Sequence, residues 1–110
     1  MSQVKQVYLD ELAAQIREVN QANGWNILQA DEWFDCYKVP AILSLIHSEV
    51  SEALEAFRGD DSENFYEEMA DIVIRVLDCV GGLTDEFTEL VLDKIEKNRT
   101  RGFRHGGKRV

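Results

Sequence analysis

Proline is nearly absent: Pro40 is the only one in 110 residues. A chain so free of helix breakers can run long helices, and the 45% hydrophobic share argues against disorder. Cysteine is scarce too. Cys36 and Cys79 lie far apart in sequence and form no CxxC pair, which excludes a cysteine zinc site and a disulfide framework. No apolar run reaches the roughly eighteen residues that a membrane span requires. The opening text, "MSQVKQVYLDELAAQ", is too polar for a secretory leader, so a cytoplasmic, reduced protein is expected. Basic residues are few as well, 12 against 21 acidic, for a net charge of −9. They are also unevenly placed. Residues 1–93 carry 20 acidic and 5 basic side chains, and residues 94–110 carry 1 and 7. An acidic body with a short basic tail excludes stable nucleic-acid binding and leaves the tail suited to phosphate.

What is present is helical periodicity. Leu9, Leu12, Ala13, Ile16 and Val19 recur at three- and four-residue steps and predict a first helix over about Val4 to Ala22. Asn23 and Gly24 stop it. The mixed stretch from Gly24 to Val39 has no clear period and reads as a loop with a short helical turn. Pro40 suits the first turn of a second helix that runs to about Phe57. Asp60 and Glu63 have capping-box-like spacing before a third helix from about Glu63 to Val80, which Gly81 and Gly82 end. Thr84 is placed to cap a fourth helix with the stripe Leu83, Phe87, Leu90, Val91 and Ile95. The expectation is one all-α domain over residues 1–110, a four-helix bundle with its helical core at about 4–98 and a basic tail at 99–110.

The acidic residues break the apolar pattern in an ordered way. Each helical residue advances by about 100°. Glu49 thus falls between Ile42, Ile46 and Ala53, inside the apolar arc of helix two, and Glu52 lies at its edge. On helix three Glu68, Asp71, Arg75 and Asp78 form one polar stripe, while Glu67 points elsewhere. If the two helices pack, four carboxylates converge. Like charges at a core edge resist ionisation unless a cation joins them. Magnesium, a hard ion that takes oxygen ligands, resolves the conflict, with manganese as a substitute. A ferritin-like di-iron site would need a glutamate three residues before a histidine, and neither His47 nor His105 has one. Arg75 is expected to neutralise Asp71 and Asp78. His47 reads as an ordinary core or surface histidine.

The pair Glu49-x-x-Glu52, followed sixteen positions on by Glu68-x-x-Asp71, resembles the ExxE…ExxD signature of the MazG-like all-α nucleoside triphosphate pyrophosphohydrolases. The flanking text, "LIHSEVSEALEAFR" and "EEMADIVIRVLD", is similar as well. A third block, Lys94-x3-Asn98-x2-Arg101, resembles an element that follows in many members. The resemblance covers roughly residues 45–104. Ser48 stands where some members have a further glutamate, and the marks of the phosphoribosyl-ATP branch are missing.

The resemblance implies magnesium-dependent hydrolysis of a nucleoside triphosphate to the monophosphate and pyrophosphate. Glu49, Glu52, Glu68 and Asp71 would be metal ligands and catalytic groups. Lys94, Asn98 and Arg101 would hold phosphates, with Arg104 and Lys108 closing over them. Trp25 and Trp33 would contact the base. It also implies a homodimer or homotetramer. A second reading, from a different class, is a non-catalytic helical module whose acidic patch binds a basic partner.

Overall fold

The computed structural model describes residues 8–101. These residues form four helices and no strand: α1 Leu9–Ala22, α2 Lys38–Arg58, α3 Ser62–Gly81 and α4 Phe87–Arg101. A single 3-10 turn, Ala30–Glu32, interrupts the connection between α1 and α2. The all-α expectation holds. The tail residues Arg104 and Lys108, and the side chain of Arg101, lie outside what the structure describes.

The helix ends follow from local chemistry, with corrections to the sequence reading. α1 begins at Leu9 after an extended Tyr8, and the expected stretch from Val4 to Val7 lies outside the described residues; Asp10 and Glu11 then sit in the first turn, where acidic groups favour the helix dipole. It stops where expected: the Asn23 N–H donates to the Val19 carbonyl, and Gly24 takes the left-handed φ of +80°. Helix α2 starts two residues before Pro40, which keeps the proline in the first turn. The Asp35 carboxylate accepts the backbone N–H groups of Tyr37 and Lys38 there, at 2.9 and 2.8 Å. At α3 the cap is Asp61, not Asp60. Asp61 accepts the Asn64 N–H, while Asp60 turns the chain at a φ of +56°. At α4 the expected cap, Thr84, lies too early and only accepts the Glu86 N–H. Leu83 likewise precedes the helix.

The start of α4 is instead held from α1. The Asp10 carboxylate accepts the N–H groups of Phe87 and Thr88 at 2.8 and 3.1 Å, and the Thr88 hydroxyl accepts the Asp10 N–H. This reciprocal clasp is a capping interaction between elements far apart in sequence. It is also the main tie of α4 to the rest, since α4 packs chiefly on α1.

The packed unit is α1, α2 and α3. The short turn after Arg58 folds α3 back along α2, and small buried residues of α2, Ala53 and Ala56, let the two helices approach, while Leu77 is the buried residue of α3. Ala13 brings α1 against the end of α3, where a Cβ on Gly81 would sit 3.0 Å from the Ala13 Cβ. Ile27 and Leu28 of the connecting loop seal this end of the core. A Cβ on Gly82 would run into the Leu28 carbonyl, so the loop lies directly on the chain leaving α3. Lys38 fixes the loop from its other side, donating to the Ile27 carbonyl, Asn26 and Glu32 at 2.8–3.0 Å. The fully buried apolar set is small, and Leu43, Val50, Leu54, Phe57, Leu90 and Ile95 remain exposed. No described helix is long and apolar enough to cross a membrane.

Candidate metal centre

Helices α2 and α3 bring the two acidic pairs to one side of their contact. Carboxylate oxygens of Glu49, Glu68 and Asp71 all lie within 4.8 Å of one another. Glu49 is buried, with 8% of its surface exposed; Glu68 is half-buried and Asp71 is exposed. The helical phasing from sequence is therefore right: Glu49 points inward, and Glu68 rather than Glu67 faces it. Glu52 is exposed and stands outside this close group, but its charge still acts on Glu68.

The electrostatics are those of a cluster only partly compensated, by Arg75. Partial burial, reinforced by the Glu49 and Glu52 carboxylates, pushes the Glu68 carboxyl up to about 7. Glu49 has one oxygen, Oε1, paired with Arg75 Nε at 3.0 Å. Its other oxygen, Oε2, is buried and has no hydrogen-bond partner. A buried carboxylate oxygen without a donor is costly, and interiors seldom keep one. The donor set fits a hard divalent ion: three carboxylates, one with a vacant lone pair. Neighbouring oxygens around one magnesium lie roughly 3.0 Å apart, so the three carboxylates would draw together around an ion.

Arg75 is a correction to the sequence reading. It was expected to serve Asp71 and Asp78 on its own helix, and it reaches across to Glu49 on α2 instead. Asp78 is occupied from α1. Asn20 Nδ2 donates to its Oδ2 at 2.8 Å, and Arg17 lies 3.4 Å from Oδ1 while donating to the Asp78 carbonyl at 3.1 Å. Sequence reasoning missed Arg17 and Asn20. Their spacing of three on α1 was a usable sign, but nothing in the sequence identified Asp78 as the partner.

A pocket of about 320 Å³ opens beside the carboxylates, lined by Asn20, Trp25, Glu49, Asp71, Ile74, Arg75 and Asp78. That is the lower end of the usual size for small-molecule sites, roughly 300–1,000 Å³. Trp25 is 55% exposed and also walls a hollow of about 70 Å³ with Ile42, Leu45 and Cys79. It thus lines the space beside the carboxylates. Trp33 is exposed and lines neither space. Lys94 and Asn98 are exposed on α4, and neither lines the pocket. Cys36 and Cys79 are both free thiols, and burial pushes the Cys79 thiol up. Compared with models of protein families, with characterised proteins and with solved structures, the chain matches none.

Proposed function

We propose that this chain is a magnesium-dependent nucleoside triphosphate pyrophosphohydrolase of MazG-like type, acting in nucleotide-pool control. The observation that carries the proposal is the Glu49 carboxylate, buried beside Glu68 and Asp71 with one oxygen unpartnered. Glu49, Glu68 and Asp71 would hold the ion, and Glu52, one turn further along α2, would complete the set. Magnesium or manganese there would supply charge neutralisation for the triphosphate and a more acidic water.

The chain's own residues account for the remaining chemistry. Water adds at the α-phosphorus, the bond to the bridging oxygen breaks, and pyrophosphate leaves. One of the four carboxylates accepts the proton from water. Trp25 offers its face to the base, and the pocket beyond Arg75 and Asp78 takes the sugar and base. Lys94, Asn98, Arg101, Arg104 and Lys108 are cationic or amide donors for the phosphates. They would meet the carboxylates across a subunit boundary, because within one chain Lys94 and Asn98 do not line the pocket. A homodimer or homotetramer follows from this. It would also cover the apolar side chains left exposed on α2 and α4.

The exposure of Glu52 and Asp71 favours one other reading, an acidic docking module without catalysis. A panel of standard and modified nucleoside triphosphates, with magnesium and with excess chelator, separates the two. Pyrophosphate released only with metal supports the enzyme. Release of single phosphate alone refutes the reaction, and no turnover across the panel supports the docking module. Glu67→Gln, off the polar stripe, serves as the control that retains activity.

A further inference from the structure

The two interhelical arginine–carboxylate pairs among the described residues are built differently. Asp78 has both oxygens in use, one toward Arg17 and one on Asn20. Glu49 has only Oε1 in use, through the Nε of Arg75 at 3.0 Å, and its Oε2 is buried and bare. Glu49 is more than nine-tenths buried, while the Arg75 side chain is 27% exposed. Arg75 makes no other hydrogen bond among the described residues. It stands one turn after Asp71 on α3, so its backbone is fixed to the same helix that carries two of the carboxylates. The arrangement clamps one oxygen of Glu49 and leaves the other without a donor, on a carboxylate grouped with Glu68 and Asp71.

That asymmetry bears on which ion the site accepts. Magnesium is small, takes six ligands near 2.0–2.1 Å and is satisfied by one oxygen per carboxylate. Calcium takes six to eight oxygens at 2.3–2.6 Å and gains from carboxylates that bind with both. A carboxylate with one oxygen tied to a guanidinium can give only the other. Resting on the metal reading above, we propose that Arg75 is a positioning and specificity residue: it confines Glu49 to single-oxygen coordination through Oε2 and so selects magnesium or manganese over calcium. Arg75 stays on Oε1 when the ion binds. Neutral removal of Arg75 frees the second oxygen and the rotamer of Glu49. Magnesium affinity then falls by roughly ten- to a hundredfold, the usual effect of losing an outer hydrogen bond to a ligand. Calcium affinity falls less or rises, so the preference for magnesium shrinks.

The test is calorimetric titration of the full chain, free of nucleotide, with magnesium alone and calcium alone. Wild type is compared with Arg75→Met, which keeps side-chain length, and Arg75→Lys, which keeps a donor. The expected result is a calcium-to-magnesium Kd ratio that drops about tenfold or more in Arg75→Met and stays near wild type in Arg75→Lys. Circular dichroism reports whether each variant folds. A second measurement needs no variant: the Arg75 Nε–H signal, followed by nuclear magnetic resonance, persists in wild type at saturating magnesium. An unchanged ratio in folded Arg75→Met, or loss of the Nε–H signal on magnesium binding, overturns the proposal and leaves the metal centre standing. If neither ion binds wild type or either variant, the metal reading itself fails.

Discussion

Glu49→Gln and Glu49→Ala remove the same charge yet are expected to part company in stability. In the alanine variant Arg75 loses its only partner. Breaking a buried ion pair from one side costs about 3–5 kcal/mol, and the 27% exposure of Arg75 lets water relieve some of that, so about 3 kcal/mol is expected. In the glutamine variant a carbonyl oxygen still accepts the Arg75 Nε–H. The loss is only the charge assistance of that bond, about 1 kcal/mol. Against it, the substitution removes a buried orphaned acceptor worth about 1–3 kcal/mol and one like charge beside Glu68 and Asp71. The glutamine variant should therefore match wild type within about 1 kcal/mol or exceed it, when both are unfolded by urea in chelator. Both variants should lose roughly a hundredfold or more in turnover, since neither offers Oε2 to an ion. A glutamine variant as unstable as the alanine one would refute the idea that Oε2 is a cost in the metal-free fold. A glutamine variant with a tenth or more of wild-type activity would remove Glu49 from the ligand set.

Three further outcomes follow. In chelator the protein should lose stability as pH rises from about 4.5 to 7: the raised Glu68 pKa favours the protonated folded form, a contribution that is full below the unfolded value and gone above the folded one. Asp10, Glu32 and Asp35 are lowered, mainly by hydrogen bonds to their carboxylates, so their contribution is lost in the opposite direction, as pH falls below the carboxylate range; thermal melts should peak near pH 5 without metal and flatten with magnesium. Asp10→Ala should speed hydrogen exchange at the first-turn amides of α4 while leaving α2 and α3 protected, and uniform loss of protection would show that α4 is held by more than its clasp. Light scattering at micromolar concentration should give a dimer or tetramer; a monomer that stays fully active on dilution would remove the shared site.

The helices were legible because their apolar residues repeat at the helical period over long, proline-poor stretches. The phasing of Glu49, Glu68 and Glu67 was legible for the same reason: rotation about a helix axis is fixed by spacing alone. What escaped the sequence was every choice between elements. Arg75 has acidic neighbours at both four residues before and three after, and only the packing of α1 reveals that Asp78 is already taken by Arg17 and Asn20. Asp10 looked like a first-turn acid and is the cap of a helix more than seventy residues away. Asp60 and Asp61 differ by one residue in spacing but by a left-handed backbone in fact. The basic residues of α4 are the clearest gap. Their spacing places them on one helix side, but where that helix points depends on contacts that no period encodes.

Gly82 lies against the loop that carries one wall of the pocket, Trp25. The Leu28 carbonyl rests where a Cβ would stand, and three residues before Leu28 the same loop carries Trp25. A methyl group there meets the Arg17 guanidinium, which can swing away, and the Leu28 backbone, which cannot, so the loop itself must shift and take the indole with it. If the proposed hydrolysis holds, breadth of substrate acceptance would be adjustable from this position outside the pocket lining. A laboratory selection for altered base preference should yield changes at 82 alongside those at 25, and variants there would be mistaken for stability effects unless preference were measured.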